Sequence, residues 1–183
     1  MSKTLLIMRH AKSSWSDGKA SDHERGLTSR GKREAELMGR ELVRRDLAPD
    51  LILTSTAKRA RSTAKRVATQ PGIGATRADD DRLYESSPRQ CLRVLAAKGS
   101  GDTVLLIGHN PTFEELVHSL TSRYVALPTA TVAVIRLPIS DWAQAGEDMR
   151  GRLEALIAPR DIAGASLPDG RDDSAESDAD GDD

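Results

Sequence analysis

The chain has 183 residues, of which 30% are charged and only 3% aromatic, with a formal net charge of −1. That length supports one domain with a full hydrophobic core built from Leu, Val, Ile and Ala, plus a short appendage. No apolar stretch approaches the roughly 18 residues of a membrane span, and a single cysteine, Cys91, excludes an internal disulfide.

Residues 4–8 open the chain as an apolar strand, reached without a small-residue cleavage site, so a cytoplasmic location is expected. Arg9 and His10 stand at its exit, followed by a turn carrying Lys12, Ser13 and Ser14. Residues 28–45 repeat apolar side chains at helical spacing behind Thr28, a capping residue. Residues 51–54 form a second strand, residues 57–69 a helix broken by Pro71 and Gly72, and residues 75–79 a weak edge strand. A helix over 88–98 buries Cys91, and Gly99 and Gly101 stop it. The third apolar strand, residues 103–107, runs into Gly108 and His109. The spacing then predicts a helix over 111–120, with Asn110 as its cap and Pro111 in its first position. Residues 131–137 and 152–157 complete the pattern as an antiparallel pair at one edge. Such alternation predicts a three-layer α/β/α sandwich with a mostly parallel sheet.

The charge is unevenly divided. From Arg160 onward nine acidic residues face two arginines, a net of −7 that leaves +6 on the first 159 residues. A segment so acidic and so poor in large apolar residues cannot offset its ordering entropy. The expected organisation is therefore a domain over 1–159 and a disordered acidic tail over 160–183. The arginines of the basic body lack interleaved aromatics, which points to anionic phosphate substrates and away from nucleic acid.

Ligands of open α/β sheets collect past the carboxyl ends of the strands, so His10 and His109 are expected in one crevice. Arg9 adjoins the first histidine, and Arg59, in the first turn of the helix after the second strand, can reach back across the strand ends. Guanidinium forks match phosphate oxygens, and an imidazole is a competent nucleophile. The Asn110 helix start adds backbone amides and a positive dipole end. Lys12, Ser13 and Asn110 are candidate substrate contacts. Such a pocket needs no metal and no cofactor, because fixed guanidinium groups can clamp the oxygens.

Four ordered blocks carry a resemblance. Arg9-His10-Ala11-Lys12 is similar to the Arg-His-Gly signature of the histidine phosphatase superfamily, which includes the cofactor-dependent phosphoglycerate mutases. Ala11 stands where the wider family has glycine, a change its short SixA-type branch accepts. Asp22-His23-Glu24-Arg25-Gly26-Leu27-Thr28 with Gly31, then Ser55-Thr56-Ala57-Lys58-Arg59-Ala60 with Thr63-Ala64, then Gly108-His109-Asn110 resemble the following blocks in order. The resemblance implies a phosphoglycerate mutase-like fold and a ping-pong hydrolysis. In it His10 becomes phosphohistidine while Arg9, Arg59 and His109 hold the oxygens. Arg25 has two readings, a phosphate or substrate contact and a surface ion pair with Asp22 or Glu24. Glu85 is the expected proton donor to the leaving group, with Asp22, or no strong acid at all, as the alternatives. The roughly forty residues between Arg59 and the third strand leave little room for a closing insertion. An open pocket and a phosphorylated protein substrate, phosphohistidine above all, are therefore expected. The alternatives are a phosphatase of a small phosphometabolite and a non-catalytic phosphate-binding module.

Other residues have plainer readings. His23 is expected to be solvated in its loop, with contact to substrate as the second reading, and His118 to pair with Glu114 on a helix face without binding metal. Trp15 either faces substrate or packs the turn after the first strand. Lys58, Arg61, Lys65 and Arg66 form a basic helical face that meets solvent.

Overall fold

The computed structural model describes residues 2–15 and 21–162. Six strands form one sheet in the order β3-β2-β4-β1-β5-β6. They are β1 (Lys3–Arg9), β2 (Leu51–Ser55), β3 (Thr76–Asp80), β4 (Thr103–Gly108), β5 (Val132–Leu137) and β6 (Arg152–Ile157). The first four are mutually parallel where they pair, β5 joins β1 antiparallel and β6 joins β5 antiparallel, so the late strands form the antiparallel pair at one edge that the sequence suggested. Four helices cover the sheet: α1 (Ser29–Arg44), α2 (Lys58–Ala68), α3 (Pro88–Lys98) and α4 (Thr112–Thr121).

The apolar runs read as strands because both of their faces are covered. In β1, Leu5 and Ile7 join the core under α3 and α4, while Leu6 and Met8 join the core under α1 and α2. Thr28 caps α1 by accepting the Gly31 amide at 3.0 Å, and Cys91 is a buried packing thiol on α3 whose burial raises its pKa to about 11. Among the described residues no helix is long and apolar enough to cross a membrane.

The start of α4 corrects the sequence reading. The helix begins at Thr112, and Pro111 occupies the capping position without a side-chain cap. Asn110 instead donates its Nδ2 to Glu114 Oε1 at 2.9 Å and to the Leu127 carbonyl at 3.0 Å. Contacts to distant chain won over the local cap. His118 also departs from expectation: Glu114 serves Asn110 and the Leu127 amide, and the His118 ring stacks on Tyr124 at 3.8 Å. A 3-10 turn, Pro159–Asp161, carries the chain to Ile162, which packs on the core under α1. Residues 163–183 of the acidic segment lie outside the described residues.

Gly31 holds the first turn of α1 against the chain leaving β1. A Cβ there would lie 2.1 Å from the Lys12 carbonyl oxygen and 2.9 Å from two further Lys12 backbone atoms. Since the obstacle is backbone, Gly31→Ala should destabilise the protein by about 2 kcal/mol through overpacking, seen in thermal melts as a Tm several degrees lower. An unchanged melt would contradict the contact.

Candidate active site

The parallel order β2-β4-β1 sets three strand ends side by side, with Arg9 opposite Gly108 and Thr54 opposite Ile107. Each end delivers a polar side chain: His10 after β1, Ser55 at the end of β2, and His109 after β4. The rings of His10 and His109 are 5.2 Å apart between centroids. Two histidines almost a hundred residues apart in sequence are thus neighbours because their strands pair in parallel register.

His10 is 7% exposed. Its Nδ1 lies 2.8 Å from the Ala11 carbonyl, which can only accept, so Nδ1 carries the hydrogen and Nε2 keeps a free lone pair. Ala11 is itself pinned, its amide donating to Thr63 Oγ1 at 3.1 Å, and Thr63 donates to the Arg59 carbonyl at 2.7 Å. The loop bearing the imidazole is therefore tied to the helix bearing the guanidinium. Burial first, then the charges of Arg59, Arg9 and Arg25, lower the His10 pKa to about 4. Burial and the neighbouring cations lower that of His109 to about 3.

Arg59, on the first turn of α2, is buried and grips Asp22 twice, through the Asp22 carbonyl at 2.6 Å and Oδ2 at 2.9 Å. Arg25 holds the other carboxylate oxygen at 2.8 Å and reaches Ser13 Oγ at 3.3 Å. The surface-pair reading of Arg25 is thus corrected: its partner is Asp22, but the side chain is only 13% exposed and lies 3.7 Å over the Trp15 ring. Tyr84 donates its hydroxyl to Asp22 Oδ2 at 3.0 Å. Partial burial acts the other way, yet the hydrogen bonds from Arg59, Tyr84 and Arg25 hold the Asp22 pKa down to about 2. While these contacts hold, the Asp22 carboxylate is ionised at neutral pH. It fills the guanidinium fork much as a phosphate would.

A cleft of about 440 Å³ opens beside this cluster, with Asp22, Arg59, Tyr84, Glu85, His109 and Asn110 among its walls. Glu85 is exposed there, in the left-handed region at φ 47°. His10 is not among the wall residues, but its ring lies beside that of His109, which is. Arg9 is half-buried and donates to the Leu127 carbonyl at 3.2 Å. Lys12 is exposed. Asn110 has its amide nitrogen committed, leaving Oδ1 buried without a partner. Trp15 is 79% exposed, which answers the packing reading. Among the described residues no group of three His, Cys, Asp or Glu could hold a metal ion.

Two contributors, Tyr84 and Ser55, had no role in the sequence reading, and a third, His23, had solvent as its first reading. Tyr84 lies edge-on to both His109 and His23, at 5.7 and 4.8 Å. His23, expected in solvent, bonds Thr56 Oγ1 at 3.0 Å and Glu24 Oε1 at 3.0 Å. Ser55 meets His109 Nε2 at 2.8 Å. Only Ser55 had a legible signal, its position at the end of an apolar run like the two histidines.

A neutral nucleophile at pH 7 follows from the His10 environment, with an acid limb set by its loss. Protonation removes the Nε2 lone pair, so kcat/KM, corrected for substrate ionisation, should stay level from neutral pH to about 5 and fall as pH approaches about 4. A limb near 6.5 would mean an ordinary, solvated imidazole.

Comparison with known proteins agrees with this geometry. The pattern of the Histidine phosphatase superfamily (branch 1) matches residues 5–88. An uncharacterized protein of Mycobacterium tuberculosis is 39% identical over 148 residues, covering 74% of this chain and 90% of that one. The chain is similar in structure to one from Agrobacterium tumefaciens assigned as the phosphohistidine phosphatase SixA, with a TM-score of 0.73 and 29% identity. That match covers 86% of this chain and 98% of the other. The fold is also that of the protein histidine phosphatase SixA complexed with tungstate, with a TM-score of 0.72, 23% identity, and coverage of 86% and 97%.

Proposed function

We propose that this chain, which belongs to the histidine phosphatase superfamily and within it to the SixA-type branch, hydrolyses phosphohistidine on a protein substrate through a phosphohistidine of its own. The observation that carries the reading is the buried His10 ring, its Nδ1 proton fixed by the Ala11 carbonyl and its Nε2 free among three arginines.

In the first step Nε2 attacks phosphorus, the bond from phosphorus to the substrate nitrogen breaks, and that nitrogen keeps the bonding pair. Arg59 and Arg25 exchange the Asp22 carboxylate for phosphoryl oxygens, and Arg9 and His109 add positive charge and a hydrogen bond. In the second step water attacks the phosphorylated His10, losing a proton, and inorganic phosphate departs as Nε2 regains its lone pair. Glu85, in the wall of the cleft, is our candidate to protonate a leaving oxygen; a phosphohistidine ring already protonated on its other nitrogen leaves as neutral imidazole and needs less help. The chain from Arg59 to β4 is used up by α2, β3, a 3-10 turn and α3, which supports an entrance wide enough for a protein side chain.

Phosphate release from a phosphohistidine protein, measured beside a panel of sugar and nucleotide phosphates, tests the substrate. Preference for the phosphohistidine protein is expected, and a strong preference for a small ester would replace this reading with that of a metabolite phosphatase.

A further inference from the structure

We propose that Ser55 is a positioning residue for His109: its hydroxyl donates to Nε2 and holds the ring's single proton on Nδ1, so that the imidazole offers an N–H donor to a phosphoryl oxygen. The inference rests on the reading of this site as a phosphate site.

His109 Nε2 and Ser55 Oγ are 2.8 Å apart, and that distance alone allows either atom to donate. The surroundings decide between them. Ser55 is 0% exposed, and its oxygen accepts the Ala57 amide at 3.3 Å. Were the imidazole to donate, the serine hydrogen would be buried with no acceptor, and Nδ1 would be a bare lone pair, buried and equally without a partner. Two unmet groups in one dry corner are costly. With serine as donor only one group is unmet, the Nδ1–H, and a donor is what an oxyanion needs. The buried Nε–H of Arg59 is a second partnerless donor in the same site. Burial keeps the ring neutral at pH 7, so which nitrogen bears the proton decides whether His109 donates or accepts at Nδ1.

The tautomer is directly observable. In ¹⁵N-labelled wild-type protein at pH 7 the His109 shifts should place the proton on Nδ1, and inorganic phosphate should move that resonance. Ser55→Ala should transfer proton density to Nε2 and lower kcat for an aryl phosphate about tenfold with little change in KM, since the lost donor acts in the transition state. Ser55→Thr, which keeps the hydroxyl, should restore both. A wild-type His109 protonated on Nε2, or an Nδ1 resonance indifferent to phosphate, overturns the inference whatever the variants do. An Nδ1 proton that responds to phosphate in a chain that hydrolyses no phosphoryl substrate supports the tautomer while removing the hydrolytic reading.

Discussion

His10→Ala is expected to abolish both turnover and labelling of the chain, lowering kcat/KM at least about a thousandfold, because a covalent route has no substitute once its nucleophile is gone. The fold should persist. The residue is buried, but its ring makes one hydrogen bond, to the Ala11 carbonyl, and the Ala11 amide keeps its own tie to Thr63. Arg59, Arg25 and His109 remain in the variant, so inorganic phosphate should still bind. The measurement is an acid-labile, base-stable label left on the chain by a generic aryl phosphate. Equal labelling of wild type and variant would move the nucleophile elsewhere. Absence of label in wild type, with phosphate still bound, would make the chain a phosphate-binding module and no phosphatase.

Arg59→Ala should reduce kcat/KM by about a hundred- to a thousandfold, the range for removing one preorganised donor from a developing oxyanion. Three observations set this expectation. The guanidinium is buried, one terminal nitrogen already donates to a carboxylate and the other to a backbone carbonyl, and its Nε–H has no partner of its own. Asp22 keeps Arg25 and Tyr84 in the variant, so the loss should fall on phosphate more than on stability. Arg59→Lys should recover little, since a point charge cannot reproduce the fork that grips Asp22. Titration with inorganic phosphate checks the claim independently of turnover, and an unaltered Kd in Arg59→Ala would place the oxyanion elsewhere.

Local signals located the strands and helices well because each is carried by neighbours in sequence. The unbroken apolar run of β1 serves two cores at once, and Thr28 and Gly99 mark helix ends through bonds a few residues long. Errors arose where a side chain had both a local and a distant partner. Asn110 could cap a helix, yet it turned to Glu114 and Leu127. His118 had Glu114 one turn away, and Tyr124 folded back to take its place. Asp22 and Arg25, three residues apart, read equally as a surface pair and as a substrate contact, and only the fold brings Arg59 and Tyr84 from other parts of the chain onto the same carboxylate.

The sequence by itself determined the layered α/β architecture and put His10 and His109 at the exits of buried strands, because strand burial is written in unbroken apolar runs. It also placed arginines within reach of both. Only the tertiary structure decided which groups are charged and which way their protons point. Burial beside cations keeps both imidazoles neutral, a guanidinium fork keeps Asp22 ionised, and a serine from a third strand faces one ring nitrogen. Protonation follows from solvent exclusion and from partners remote along the chain, and neither exists until the sheet has closed.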